Sequence, residues 1–163
     1  MEKIFEANCH VLGDNIDTDQ IYPGKYLELT DHDTIAQHVL EGVDQNFSRK
    51  IKKGDILVCG KNFGCGSSRE HAAICLKSAG ISLVIARSFA RIFYRNAINL
   101  GLPVLECKVE DVANEGDKLR VDLQSGVIEN ISRCKTYPVM PLTDYMLQIL
   151  ENDGVINMIK REE

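Results

Sequence analysis

Tryptophan is absent from the 163 residues, and aromatic side chains make up only 6% of them. There is thus no aromatic and basic stripe of the kind that stacks and grips nucleic-acid bases. Positive charge is also scarce, with 19 Lys and Arg against 24 Asp and Glu for a net charge of -5. A phosphate backbone repels such a chain, so nucleic acid is excluded as principal partner. No run is apolar for long enough to span a bilayer, and Met1-Glu2-Lys3-Ile4-Phe5-Glu6 lacks the basic and then apolar layout of a signal peptide. The expectation is a cytoplasmic protein without a membrane partner. The six cysteines, at 9, 59, 65, 75, 107 and 134, form no C-x-x-C pair, so neither a zinc site nor an iron–sulfur cluster is expected from this chain alone. Repeats, low-complexity stretches and Pro/Gly/Ser-rich linkers are missing as well. With 44% hydrophobic and 26% charged residues, the composition is that of one folded domain over residues 1–163.

What the chain does contain is an alternation of apolar strand-like runs with helical ones. Asp55-Ile56-Leu57-Val58-Cys59-Gly60, Ser82-Leu83-Val84-Ile85-Ala86 and Pro103-Val104-Leu105-Glu106-Cys107 are short and rich in β-branched residues, which predicts buried strands. Cys59, Cys75 and Cys107 lie in apolar runs and read as small buried hydrophobes. Helices are predicted from Ser68 to Ser78, stopping at Gly80, and from Phe89 to Asn99, with Ser88 as cap and Gly101 beyond the end. Residues 118–123 alternate as a half-exposed strand, and Gln124-Ser125-Gly126 turns them back into Val127–Ile131, an antiparallel hairpin. A last helix is predicted from Thr143 to Gly154, followed by a short helical tail. The order of elements indicates a mixed α/β domain.

Three segments concentrate polar chemistry. In Lys61-Asn62-Phe63-Gly64-Cys65-Gly66-Ser67-Ser68-Arg69-Glu70-His71, the glycines let successive N–H groups line a concavity just before a helix N-terminus, which suits a carboxylate or phosphate. The run lacks the P-loop lysine and the third glycine of a dinucleotide fingerprint. Ser67-Ser68-Arg69-Glu70 equally fits a capping box, and the pattern alone leaves both readings open. The second segment, Gly13 to Gly24, crowds Asp14, Asp17 and Asp19 within six residues, which calls for relief by water, a metal, or a distant Arg or His. Calcium-loop spacing is absent. In the third, Arg87 to Asn99, Phe89, Ile92, Phe93 and Ala97 are expected on one buried helix face and Arg91 and Arg95 on the other.

Together, Asp17-Thr18-Asp19-Gln20-Ile21-Tyr22-Pro23, Gly64-Cys65-Gly66-Ser67-Ser68-Arg69-Glu70-His71 and Ser88-Phe89-Ala90-Arg91-Ile92-Phe93-Tyr94-Arg95-Asn96 closely resemble the small-subunit family of 3-isopropylmalate dehydratases. That family is the stand-alone swivelling domain of the aconitase superfamily. The resemblance covers nearly the whole chain and implies a three-layer β/β/α fold. It implies a hydro-lyase, active only with a large subunit that carries a [4Fe–4S] cluster, which isomerises 2- and 3-isopropylmalate in leucine biosynthesis. Ser67 matches the base position of the family. Ser68 and Arg69, with the Gly66 turn, match the grip on a substrate carboxylate, and Asp19 matches an acidic position that orients a basic group of the large subunit. His71 invites a triad reading, but its place a turn into the helix fits packing or capping equally well. The resemblance also implies that the loop carrying Leu27, Glu28 and Leu29 faces the variable end of the substrate. Relatives that accept a third carboxylate tend to carry an arginine there, so Glu28 between leucines points to an alkyl branch: isopropylmalate first, then dimethylmalate or citramalate, with homocitrate or citrate disfavoured; Lys25 could partly replace the arginine, which keeps a homoaconitate dehydratase among the alternatives. The competing reading of another class is an anion-binding regulatory module in which Ser67 is only a cap.

Overall fold

The computed structural model describes residues 4–162; Met1 to Lys3 and Glu163, including the first half of the segment compared with a signal peptide, lie outside the described residues. Ile4–Val11 forms β1, Ile56–Cys59 β2, Leu83–Ala86 β3 and Val104–Glu106 β4; Lys118–Asp122, Val127–Asn130 and Lys135–Pro138 form β5, β6 and β7. The described strands make a seven-stranded sheet in the order β4-β3-β2-β1-β5-β6-β7. β1 changes partner along its length. Ile4 to Asn8 pair antiparallel with β5, and Cys9 to Val11 pair parallel with β2. One strand therefore joins an antiparallel sheet to a parallel one, in accord with the expected α/β architecture of β/β/α type.

The two halves carry different residue patterns because they bury different faces. Every residue of β2 and β3 is buried, as in parallel strands covered on both sides. In β5, Leu119 and Val121 point inward while Lys118 and Arg120 face solvent, the period of a sheet with one wet face. Cys59, Cys75 and Cys107 are buried as expected. His10 is buried at the junction, with Nε2 at 2.8 Å from Asp55 Oδ2 and Nδ1 at 2.9 Å from Glu115 Oε2. It ties β1 to the start of β2 and to the segment before β5.

The helices are α1 (Thr18–Ile21), α2 (His32–Ala36), α3 (Phe47–Lys50), α4 (His71–Ser78), α5 (Arg91–Asn99), α6 (Asp144–Glu151) and α7 (Val155–Glu162). Two start later than predicted. α4 begins at His71 rather than Ser68, with Glu70 as N-cap and no side-chain cap bond, so the capping box expected over Ser67 to Glu70 does not form. α5 begins at Arg91 rather than Phe89, because Phe89 pairs as a β-bridge with Phe63. Ser88 does not cap it; its Oγ accepts the Asn62 N–H at 2.8 Å. Ile92 is 47% exposed, outside the buried face expected for it, while Phe93 and Ala97 are buried. The predicted last helix and its tail are both present: Thr143 caps α6 by accepting the Met146 N–H, and α7 follows Gly154.

Gly64 shows how closely the glycine turn packs on α5. Its φ is +83°, and a Cβ there would lie 2.3 Å from Phe93 Cγ. Gly64→Ala is therefore both strained and overpacked, and should cost about 2–4 kcal/mol, lowering Tm by roughly 5–15 °C. Gly54, at φ +98° with nothing within 4 Å of where its Cβ would stand, is the control for strain alone. Thermal unfolding of Gly64→Ala beside Gly54→Ala should show the larger loss at Gly64; equal losses would contradict close packing.

Candidate active site

The parallel strands send their connections out at one end, the usual place for a binding crevice in an α/β sheet. After β1 come residues 12–24, after β2 residues 60–70, and after β3 residues 87–90. Backbone bonds stitch these loops together. Thr18 N–H donates to Cys65 O at 2.8 Å and Gly64 N–H to Ile16 O at 2.8 Å, forming a short parallel bridge between Asp17 and Cys65. Phe63 N–H donates to Ser88 O and Ala90 N–H to Phe63 O, which ties in the third loop. The three segments singled out in the sequence thus meet at one place.

Backbone N–H groups take up one oxygen of each of the crowded acids. Asp14 Oδ1 accepts Lys61 N–H at 2.7 Å, Asp17 Oδ1 accepts Gln20 N–H at 2.8 Å, and Asp19 Oδ1 accepts Gly24 N–H at 2.8 Å. Asp17 and Gln20 form a reciprocal capping box on α1. The capping signal thus lies in Asp17-Thr18-Asp19-Gln20, one polar segment away from the Ser67 to Glu70 run that also fits it.

Freed from capping, Ser67 stands exposed at the open face. Its Oγ accepts the Arg69 Nε–H at 2.7 Å and lies 3.1 Å from Thr18 Oγ1. A charge-assisted donor at that distance favours negative charge on the oxygen. Arg69 extends along the 18–24 loop: a Cβ on Gly24 would lie 3.1 Å from Arg69 Nη1 and 3.4 Å from Asp19 Oδ1. Gly24 therefore leaves room for guanidinium and carboxylate on the same surface. Ser68 is exposed beside them, and its carbonyl accepts from Asn96 Nδ2 at 3.3 Å. His71 takes no part in a triad; its ring stacks on Tyr22 with centroids 5.8 Å apart.

Beyond Gly24, a 3-10 turn over Gly24–Tyr26 leads into the loop expected to set selectivity. Leu27 and Leu29 are half-buried and packed against the core, and Glu28 is exposed. Tyr26 anchors the loop by donating to Glu41 Oε1 at 2.6 Å while its ring stacks on His38. Burial works against the Glu41 charge, yet hydrogen bonds from Tyr26 and His38 prevail and hold its carboxyl below the usual range. The Lys25 ammonium lies over the Tyr26 ring, 5.2 Å from its centroid.

The cysteines do not fit an iron–sulfur cluster. Burial pushes the Cys9 thiol up to about 12 and raises those of Cys59, Cys75 and Cys107, whereas Cys65 is half-buried in the glycine turn and Cys134 exposed near β7. Among the described residues, no group of three or more His, Cys, Asp or Glu side chains is arranged to hold a metal ion. No helix among them is long and apolar enough to cross a membrane.

The family model of the aconitase C-terminal domain matches residues 2–110, which include all three stitched loops. This chain belongs to that family. It is 51% identical to the 3-isopropylmalate dehydratase small subunit 1 of Methanopyrus kandleri, over 99% of this chain and 96% of that one. It is 52% identical to the methanogen homoaconitase small subunit of Methanothermobacter thermautotrophicus, over 96% and 91%. A crystal structure titled 3-isopropylmalate dehydratase, from Methanocaldococcus jannaschii, superposes with a TM-score of 0.93 at 43% identity, covering 98% of this chain and 95% of the other. The small-subunit resemblance carried by the three segments is borne out.

Proposed function

We propose that the chain, as one domain over residues 1–163, is the small subunit of a cytoplasmic hydro-lyase that interconverts 2- and 3-isopropylmalate. The observation that carries this reading is Ser67 Oγ, exposed and hydrogen-bonded to Arg69 Nε at 2.7 Å. A serine hydroxyl is too weak a base unaided, and the guanidinium stabilises the alkoxide that is needed. Ser67 takes the proton from the substrate carbon next to a carboxylate. The C–H electron pair becomes the double bond, and the hydroxyl of the neighbouring carbon departs with its C–O pair, taking up a proton to leave as water. Adding water back in the opposite sense yields the other isomer. The [4Fe–4S] cluster, which we assign to the partner large subunit, supplies the Lewis acid for the departing hydroxyl. This chain's part is the proton on carbon and the carboxylate. Arg69 Nη atoms, Ser68 and the N–H groups of the Gly66 turn hold that carboxylate, and Asp19 orients a basic group of the large subunit. An exposed base also needs a second subunit to exclude water during proton transfer.

At the selectivity loop, Leu27 and Leu29 offer apolar surface and Glu28 a repelling charge, which favours an alkyl branch over a third carboxylate. The second reading, a homoaconitate-type substrate, is favoured by the homoaconitase relative at 52% identity. Against it, the Lys25 ammonium is engaged with the Tyr26 ring.

Two experiments on the enzyme assembled with its large subunit test this. Ser67→Ala should lower kcat by more than about 10²-fold with the fold retained, and Arg69→Lys nearly as much, since lysine lacks the planar fork; near-normal kcat in Ser67→Ala would contradict the base assignment. Comparing kcat/KM for 3-isopropylmalate, 2,3-dimethylmalate and homoaconitate should rank isopropylmalate first. A preference for the tricarboxylate would install the second reading.

A further inference from the structure

Thr18 is 5% exposed, the first residue of α1, and held on both backbone sides: its N–H donates to Cys65 O at 2.8 Å and its carbonyl accepts Tyr22 N–H at 2.9 Å. Its β-branched side chain has few rotamers, so the position of Oγ1 follows from that of the backbone. Two contacts converge on this oxygen. Ser67 N–H donates to it at 3.2 Å, and Ser67 Oγ lies 3.1 Å away. Gly66 keeps the approach open, since a Cβ there would come within 3.1 Å of Thr18 Oγ1.

A hydroxyl has one proton to donate and two lone pairs. The Ser67 N–H occupies one lone pair of Thr18, and at 3.1 Å from Ser67 Oγ either hydroxyl can donate to the other; once Ser67 is deprotonated, only Thr18 has a proton to give. We propose that Thr18 is a positioning residue for the reaction, donating its hydroxyl proton to Ser67 Oγ as a second donor beside Arg69 Nε. The inference rests on the reading of Ser67 as base. Two donors on one oxygen stabilise its deprotonated form and fix it in place, leaving its remaining lone-pair direction toward the open face for the substrate's proton. Thr18 thereby holds Ser67 twice, at the backbone N–H and at the oxygen that reacts. Its hydroxyl stays on the protein and is neither consumed nor transferred.

The test is Thr18→Val, close in shape but without the hydroxyl, in the enzyme assembled with its large subunit. Loss of one preorganised donor to a developing oxyanion costs about 10²–10³-fold in kcat; a fall of about 10²-fold is expected here, with KM nearly unchanged. The acid limb of the kcat–pH profile should move to higher pH, because losing the donor makes the alkoxide harder to form. Thr18→Ser should restore most of the activity. In a Ser67→Ala background, Thr18→Val should add no further loss, since the two act as one unit. If Thr18→Val does not assemble, Thr18→Ala against Thr18→Ser makes the same comparison. Wild-type kcat and pH profile in the hydroxyl-free variant would overturn the role of Thr18. A fall in kcat that Thr18→Ser does not restore, with the profile unmoved, would also overturn it, leaving a packing role only. Normal activity in Ser67→Ala alone would overturn the base assignment, which separates that failure from this one.

Discussion

The site depends on a pair of backbone hydrogen bonds, Thr18 N–H to Cys65 O and Gly64 N–H to Ile16 O, that zip the loop after β1 to the loop after β2. Each bond by itself contributes only about 1 kcal/mol net. Their positional effect is larger, because they are made by segments rooted in adjacent parallel strands whose register fixes where the loops begin. The zipper puts Thr18 beside Ser67, brings Asp19 and Gly24 to the Arg69 guanidinium, and holds residues 67–70 out of the helix that their sequence would otherwise start. Gly64 and Gly66 are needed because the zipper packs one against Phe93 and the other against Thr18.

The proposed mechanism divides the chemistry between two chains. Ser67, Thr18 and Arg69 lie on hydrogen-bonded loops at the rim of the sheet, which suits the proposed role of a group that must be held to a fraction of an ångström. Ser67 itself is exposed, where water weakens the charge interactions it makes. In the proposed assembly, closure by a large subunit would strengthen those interactions without rebuilding them.

Much of this is legible in the residues, and what is not has a physical reason. The strands β2, β3 and β4 stand out because a parallel sheet buried on both faces writes unbroken apolar runs. The three polar segments stand out as motifs. The helix starts differ from those predicted at Ser68 and Phe89 because pairing with residues far along the chain overrides the local capping signals. β1 mixes Glu6 and Asn8 among its apolar residues, since it serves two sheets with different wet faces, and β7 is mostly exposed, so neither shows a clean period. Thr18 is silent in the sequence because its partner Ser67 is 49 residues away and only the folded loops bring them together. Ile92 stands about 100° round the helix from Phe93, and the buried face of α5 is narrow enough to leave it 47% exposed.

In the proposed mechanism one oxygen, Ser67 Oγ, carries the proton removed from carbon. The most direct measurement is the exchange of that hydrogen with solvent: the assembled enzyme is incubated with substrate in D₂O, and the recovered substrate is analysed by mass spectrometry. The wild-type enzyme should introduce deuterium at the carbon next to the carboxylate, and Ser67→Ala should introduce none above the enzyme-free rate while still binding substrate. Deuterium incorporation by Ser67→Ala at the wild-type rate would contradict the account.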